Sequence, residues 1–220
     1  MGLWTQTIGI AKTSVAKAGF FTVFYAFFTP LLAMIFMNKR YNKVYWALVC
    51  MAILGIAFLC EFEIVNFNEG DCYILLSALI FSIHILLIDL YATKNCDSLQ
   101  LNFMQTFVIA ILSFAIAFSI EDMPSITSLI DWSSFLEPSP LSGMLMISLL
   151  STIIGFSIQV YAQKFIEPHI ASLIFLLESI SAAAFGYLFL QETLSLTALF
   201  GAFLVLAAVA LLPITFSQNL

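Results

Sequence analysis

The sequence predicts an all-α fold, a polytopic bundle of membrane-spanning helices. Of its 220 residues, 62% are apolar and 9% are charged, and its mean hydropathy is +1.08. Soluble domains contain roughly 45–50% apolar and about 25% charged residues. The apolar residues also form seven stretches of about 20 residues, the length that a helix needs to cross a bilayer core. Strands with open edges would leave backbone groups unpaired in lipid, so we expect helices.

The seven predicted spans are separated by short polar connections such as 66–71, and by one long connection, 121–141, with three prolines. The apolar residues of 121–141 suit either a short interfacial helix or a solvated loop. Lys and Arg are more frequent in the connections on one side, five against two. The positive-inside rule therefore places that side and the C-terminus in the cytoplasm. The predicted spans are 16–37, 44–65, 72–92, 99–120, 142–163, 169–190 and 195–216.

Several classes of function are excluded by composition. The net charge is −6 with seven Lys and Arg residues, so no basic face is expected to bind nucleic acid. Two histidines and four cysteines without a CxxC motif do not suggest a metal site or another cofactor. An enzyme would need clustered acids, bases or nucleophiles, which the sequence does not show. We therefore expect a protein that is not an enzyme and whose environment is the lipid bilayer.

The sequence contains an internal repeat. A shift of 153 residues aligns Gly2 with Gly155 and Gln6 with Gln159, so that a G-x-x-x-Q pattern is shared, and it aligns span 16–37 with span 169–190. Residues 71–220 then form a complete repeat of five helices, and residues 1–70 form the last part of a first repeat, a partial helix and two full ones. Because five is odd, the second repeat would be inserted in the opposite sense to the first. Inverted repeats are typical of secondary transporters.

The repeat also resembles a known family. Residues 171–192, ASLIFLLESISAAAFGYLFLQE, resemble the penultimate helix of EamA-type permeases of the drug/metabolite transporter superfamily. Residues 157–164 and 199–208 resemble the helices on either side of it, and 18–32 resembles the matching helix of the first half. One departure is Ser179, which occupies a position where the family usually has proline. The resemblance implies ten helices in two inverted halves, of which about the first two and a half are not in this chain.

Glu178 is the first candidate functional residue, because it lies near the middle of span 169–190. An ionised carboxylate at the centre of a bilayer costs about 2.5–3.5 kcal/mol on insertion scales. The group is therefore expected to be protonated, hydrogen-bonded or in contact with a water-filled cavity. Two interpretations remain open: a contact for substrate or protons in a transport pathway, or a protonated group that joins two helices.

The shift of 153 also makes Tyr25 equivalent to Glu178, and Gln6 equivalent to Gln159. Polar groups at equivalent positions of two inverted repeats can meet at one central site. The alternative for the glutamines is an ordinary interhelical hydrogen bond, worth roughly 0.6 kcal/mol on average.

Two further polar residues are candidates within the second repeat. His84 lies in the middle of span 72–92 and would either donate a hydrogen bond to a neighbouring helix or relay protons. Gln105 in span 99–120 would line a pathway. Pro30 removes one backbone hydrogen bond within span 16–37, so we expect a kink there.

These observations predict a secondary transporter of small metabolites that works by alternating access in the plasma membrane, which is the inner membrane in a Gram-negative bacterium. A single acidic group is compatible with amino acids or amines as substrates. No G-x-x-x-x-G-K-[ST] motif for ATP is present, so coupled protons or the substrate gradient would drive transport. The alternative is a truncated membrane protein without transport activity, or an interaction subunit. A second copy or a complementing chain would then supply the missing helices.

Overall fold

The computed structural model describes residues 2–61, 67–92, 97–120, 140–189, 191 and 193–213, and the regular structure of these residues is entirely helical. The predicted all-α class is therefore confirmed. By length and composition, four helices are able to cross a membrane: Val15–Met37, Glu69–Tyr91, Ser98–Ser119 and Pro168–Phe189. Shorter apolar helices occupy Lys43–Leu59, Ile147–Ala162 and Leu196–Ala210. These seven helical regions overlap the seven predicted spans, as expected for a multi-pass membrane protein, but the helix predicted over 44–65 ends at Leu59 and the one predicted over 195–216 ends at Ala210.

The chain forms two compact units, of which the first comprises Met1–Leu87 and Ile166–Leu220. Its core contains apolar side chains from both parts of the chain, such as Ile56, Ile74, Leu173 and Val205. The helices of this unit are α1 (Gly2–Lys12), α2 (Val15–Thr22), α3 (Tyr25–Met37), α4 (Lys43–Leu59), most of α5 (Glu69–Tyr91), α9 (Pro168–Phe175), α10 (Leu177–Phe189) and α11 (Leu196–Ala210).

The second unit comprises Ile88–Phe165. A small apolar cluster of Ile88, Ala92 and Val160 lies at its centre, with Leu101 packed against it. The helix Ser98–Ile120 of this unit leaves most of its apolar side chains exposed, as expected for a surface that faces lipid. The unit contains the end of α5, α6 (Ser98–Ile120), α7 (Pro140–Met146), a π-helix (Ile147–Gly155) and α8 (Phe156–Ala162).

Two of the predicted connections can be compared with the structure only in part. The long connection predicted at 121–141 lies outside the described residues as far as 139, and α7 begins at Pro140. The last residues of the polar segment predicted at 66–71 belong to a helix, because α5 begins at Glu69. The predicted boundary at residue 70 divides the chain by repeat rather than by packing, so it stays a prediction beside the two compact units.

The break in the first long helix does not occur at Pro30. Helix α3 continues through Pro30, and the regular helix is interrupted earlier, at Val23 and Phe24. The N–H group of Ala26 donates to the carbonyl of Val23 at 2.9 Å, a tighter i to i−3 bond of the 3₁₀ type. The kink that the sequence predicts at Pro30 stays a prediction, and the structure adds a tightened turn seven residues before the proline.

The repeat is visible in the local structure of the two copies. Helices α2 and α9 have bounds that differ by the same 153 residues as the sequence repeat. The tightened bond from Ala26 to Val23 has an equivalent from Ser179 to Leu176, at 3.2 Å. The residues that follow α3 and α10 include Asn38 with a φ of 53° and Gln191 with a φ of 56°, again 153 residues apart. These coincidences support the repeat independently of the few shared residue identities.

The two helices that end the repeats, α4 and α11, pack closely against each other. A Cβ atom added to Gly55 would lie 2.8 Å from the carbonyl oxygen of Gly201 and 3.0 Å from Leu204, so the two backbones are in direct contact. Farther along α4, the Phe58 ring lies 5.3 Å from the Phe200 ring. Contacts that advance along α4 thus move backwards along α11, and the helices are antiparallel. This is the relation that inversion of a repeat requires between equivalent helices.

Helix α1 packs against α5 in the same way. A Cβ atom on Gly9 would lie 2.6 Å from the side chain of Ile74, and one on Gly70 would lie 2.8 Å from the backbone of Lys12. At the other end of α1, the hydroxyl of Ser77 donates to the carbonyl of Gly2 at 3.0 Å. Helix α1 is therefore an integral part of the first unit.

Candidate functional site

The helix breaks place the two equivalent residues Tyr25 and Glu178 in the first turns of α3 and α10. Tyr25 is buried and Glu178 is exposed. An acidic group in the first turn of a helix interacts favourably with the positive end of the helix dipole. The two residues thus occupy equivalent positions beside the two helix breaks.

The break before Tyr25 is held by two buried hydroxyl groups. The carbonyl of Tyr25 accepts hydrogen bonds from Thr29 Oγ1 at 2.7 Å and from Ser82 Oγ at 3.2 Å. Thr29 lies on the same helix, whereas Ser82 lies on α5, and neither residue is exposed. The position of Tyr25 is therefore fixed by a neighbouring helix as well as by its own.

Gln6 contacts the same region from α1. Its Nε2 atom donates to Thr22 Oγ1 at 3.4 Å, and Thr22 is the last residue of α2, immediately before the break. The 3.4 Å separation is long for a hydrogen bond, so this contact is weak. His84 is half-buried on α5, and the hydrogen bonds of the described residues do not connect it to Tyr25 or Glu178.

The other two candidates lie in the second unit. Gln105 is half-buried on α6, and Gln159 on α8 interacts with Gln163 at 3.4 Å. The sequence analysis missed a stronger polar contact there, made by Asn102. Its Nδ2 atom donates to the carbonyl of Thr152 and to Ser157 Oγ, each at 2.9 Å. Asn102 thereby satisfies a carbonyl of the π-helix, an uncommon element that is frequent at functional sites.

The sequence analysis also missed a buried ion pair in the first unit. Lys17 Nζ lies 2.6 Å from Asp71 Oδ2, and the side chains are only 7% and 0% exposed. Asp71 accepts two further hydrogen bonds, from the hydroxyl of Thr13 and from the N–H of Asn68 at 2.8 Å. One available signal was Lys17 itself, a cation within an apolar span. Asp71 gave no comparable signal, because the sequence analysis assigned it to a connecting segment rather than to a helix.

A second ion pair connects the same elements at the surface. Lys12 Nζ lies 3.0 Å from Glu69 Oε1, and both side chains are largely exposed. The hydrogen bond from Lys12 to Glu69 raises the pKa of the lysine above its usual value. Exposed pairs of this kind contribute little to stability.

A third polar cluster lies where α4 and α9 begin. The ring of His169 is 4.5 Å from the Tyr41 ring and 5.0 Å from the Tyr45 ring, and the hydroxyl of Tyr45 donates to the carbonyl of His169 at 3.2 Å. At the surface beside it, Lys39 and Glu167 form an ion pair of 3.5 Å. Lys17 and Tyr41 lie at opposite ends of the α2–α3 span, so each end of this span has its own polar cluster.

Within the described residues, no group of three His, Cys, Asp or Glu side chains could hold a metal ion. The side chains of the candidate site are one carboxylate, one phenol and several hydroxyls and amides. Such a set supplies hydrogen-bond donors and acceptors that can bind an amine or a proton.

Comparison with known proteins gives three findings. The EamA-like transporter family matches residues 68–213. An uncharacterized transporter from Archaeoglobus fulgidus is 28% identical over 214 residues, which cover 97% of this chain and 65% of the relative. A solved crystal structure matches 96% of this chain and 72% of its own, with a TM-score of 0.75 and 14% sequence identity. This structural match supports the helical fold alone, and the chain spans somewhat less than two thirds of the length of its archaeal relative.

Proposed function

Because the chain belongs to the EamA-like transporter family, we propose that it is a permease that moves small metabolites across the plasma membrane by alternating access. In a Gram-negative bacterium this would be the inner membrane. The proposed division at residue 70 separates two inverted repeats, and the proposed orientation has the C-terminus in the cytoplasm. The antiparallel crossing of α4 and α11 supports this arrangement. A protein of this kind catalyses no chemical reaction.

One observation supports the site more than any other. The two long helices are broken at equivalent positions, and the breaks lie next to Tyr25 and Glu178. Discontinuous helices near the bilayer midplane form the substrate and ion sites of many secondary transporters. Such breaks leave backbone and side-chain groups available to a ligand at a depth where lipid offers none.

The charge of the site favours substrates with an amino group. In the described part of the first unit, the lysines lie toward the ends of the helices, and Lys12, Lys17 and Lys39 are paired with carboxylates. Glu178 is thus the charged group next to the Tyr25 break, and it would attract a cationic amine or the amino group of an amino acid. Gln6, His84, Gln105 and Gln159 remain proposals for other parts of the pathway.

The experiment is counterflow in liposomes that contain the purified protein, with a panel of radiolabelled amino acids and amines. We expect uptake of at least one of them, and we expect E178Q to reduce the rate and to change its pH profile. The matched control is S181A, since Ser181 is also exposed and lies one turn later on the same helix. No counterflow by a folded sample would reject transport, and an unchanged pH profile in E178Q would reject the role of the carboxylate.

A further inference from the structure

The connection between α3 and α4 carries three exposed cations, Lys39, Arg40 and Lys43, which we call the 39–43 cluster. The first acidic residue of the sequence is Glu61, so the first 60 residues contain no carboxylate side chain to neutralise the cluster. The whole chain has a net charge of −6. The cluster is therefore a local excess of positive charge in an acidic protein.

One of the three cations is paired. Lys39 Nζ lies 3.5 Å from a carboxylate oxygen of Glu167. Among the residues that the structure describes, no carboxylate is within ion-pair distance of Arg40 or Lys43. Near the other end of the α2–α3 span, by contrast, both lysines are paired with carboxylates of α5. The two ends of this span thus differ, and only one of them has cations without a carboxylate partner.

The connection that carries the cluster is held at both of its ends. Asn38 has a left-handed conformation with a φ of 53°, and the N–H of Lys39 donates to the carbonyl of Ala33 at 3.3 Å. A turn of this kind closes the C-terminus of a helix. At the other end, the side chain of Asn42 accepts a hydrogen bond from the N–H of Tyr45 at 2.8 Å. The cations are therefore kept directly beyond the apolar end of α3.

The last turn of α3 adds an apolar surface beside the cluster. Phe36 is 75% exposed and Ile35 is 62% exposed. In a bilayer, exposed apolar side chains of this kind contact the acyl chains, and cationic side chains just beyond the end of a span reach the headgroups. A single phospholipid therefore spans both features, with its chains along Phe36 and its headgroup at the cluster.

We propose that the 39–43 cluster and the adjoining face of α3 bind an anionic phospholipid, with Arg40 and Lys43 balancing the charge of its headgroup. The planar guanidinium of arginine donates to two phosphate oxygens at once, whereas the ammonium of lysine acts as a point charge. In the orientation proposed above, this end faces the cytoplasmic leaflet, whose surface is made negative by anionic lipids. The proposal concerns the lipid around the protein and does not depend on transport.

The net charge of the lipid decides the strength of this binding. A zwitterionic headgroup carries its own cation beside the phosphate, so it gains little from Arg40 and Lys43. An anionic headgroup has no such cation. Each lysine or arginine near an anionic surface changes the affinity by about fivefold, so the two cations together give up to about 30-fold.

The test compares single-tryptophan reporters at the two ends of the α2–α3 span. The native tryptophans are replaced by phenylalanine, and the reporter is either F36W or V15W, at positions that are 75% and 80% exposed. Each protein is reconstituted in mixtures of phosphatidylcholine and phosphatidylglycerol, in which one lipid at a time carries bromine atoms that quench tryptophan on contact. The two quenching curves give the relative affinity of the two lipids at each end.

We expect the F36W reporter to favour phosphatidylglycerol by about fivefold or more, and the V15W reporter to show no preference. R40Q/K43Q should remove the preference at F36W, because the two cations without carboxylate partners are then gone. The same preference at both reporters would mean a general attraction to the protein and would overturn the proposal. An unchanged preference at F36W in R40Q/K43Q would overturn it as well.

E167Q keeps the test decisive if R40Q/K43Q disturbs the connection. It removes the carboxylate paired with Lys39, so the positive charge of the cluster rises, and the preference at F36W should rise by about fivefold. Exposed ion pairs contribute little to stability, so E167Q should retain the fold. The matched control is E69Q, which removes the partner of Lys12 near the other end and should leave F36W unchanged. A preference that stays the same or falls in E167Q would contradict the proposal.

A final arm separates a lipid headgroup from a soluble phosphate. Only a lipid makes the apolar contact with Phe36, so glycerol 3-phosphate in the water phase should not displace phosphatidylglycerol from the F36W reporter. Sodium chloride at the same ionic strength corrects for screening of the charges. Loss of the preference with glycerol 3-phosphate, but not with sodium chloride, would identify a site for a soluble phosphate and overturn the assignment to a lipid.

Discussion

Replacing Gly201 by alanine should destabilise the first unit, because α4 and α11 approach each other there without room for a side chain. A Cβ atom at this position would contact the carbonyl oxygen of Gly55 and would lie 2.9 Å from Cβ of Phe58. Carbon atoms essentially never approach that closely, and a backbone oxygen cannot rotate away as a side chain can. The two helices must therefore separate along their crossing.

The magnitude follows from two opposing effects. Overpacking of a well-packed interface typically costs 1–3 kcal/mol, whereas exchange of glycine for alanine in a helix interior favours the helix by about 0.8–1.0 kcal/mol. Relative to the parent, we expect the free energy of unfolding to fall by about 0–2 kcal/mol, the difference of these two effects, and relative to a glycine-to-alanine exchange without overpacking we expect it to be lower by about 1–3 kcal/mol. A matched control is G19A on α2, since a Cβ atom on Gly19 meets nothing within 4 Å. That variant should be neutral or slightly more stable.

The assay is reversible unfolding in mixed micelles, followed by tryptophan fluorescence, with both variants measured beside the parent protein. G55A provides a second reading of the same contact, because its Cβ would lie 2.8 Å from the carbonyl of Gly201. If G201A and G19A were equally stable, the close crossing of α4 and α11 would be wrong. The antiparallel relation inferred from it would then lose its main support.

Three further variants test contacts that position the helices. N102A should lower the stability of the second unit by about 1–3 kcal/mol, because it removes the side-chain donor to the carbonyl of Thr152. Faster proteolysis of the 88–165 region would report this loss, and an unchanged proteolysis rate would contradict it. Y45F should cost about 0.5–1.5 kcal/mol by loss of the bond to the carbonyl of His169, measured as a lower unfolding midpoint, and an unchanged midpoint would mean that this bond contributes nothing. N42A and S195A remove equivalent helix caps and should each cost about 1 kcal/mol, and strongly unequal losses would contradict the equivalence of the two repeats.

The helix breaks show where prediction from sequence reached its limit. The shift of 153 residues located the repeat and made Tyr25 equivalent to Glu178, but it gave no reason for a break beside either residue. Neither Val23 nor Leu176, at the interrupted positions, is a helix breaker of the kind of glycine or proline. Pro30 was the residue with a local reason to interrupt the helix, and α3 continues through it. The breaks therefore lie where local propensity does not predict them.

The buried ion pair illustrates the same limit for polar groups. Lys17 and Asp71 are distant in the sequence, and their contact requires α1, α2 and α5 to pack around one corner. In the sequence, Asp71 belongs to a polar connecting segment. In the structure it is the third residue of a helix and is shielded from water by Thr13 and its neighbours. Burial of an acidic residue depends on what packs over it, which a hydropathy pattern does not record.

The sequence alone determined the class of this protein and the approximate positions of its seven apolar helical regions. In lipid, a spanning segment must be long and apolar, and its backbone groups must form their hydrogen bonds within the segment. Both properties depend on residues close together in the sequence, so they can be recognised from the sequence alone. The tertiary structure decided which of the few polar groups meet: Asp71 with Lys17, and Asn102 with the π-helix. Those contacts join residues far apart in the chain, and their energies depend on exclusion of water by helices that the sequence does not place.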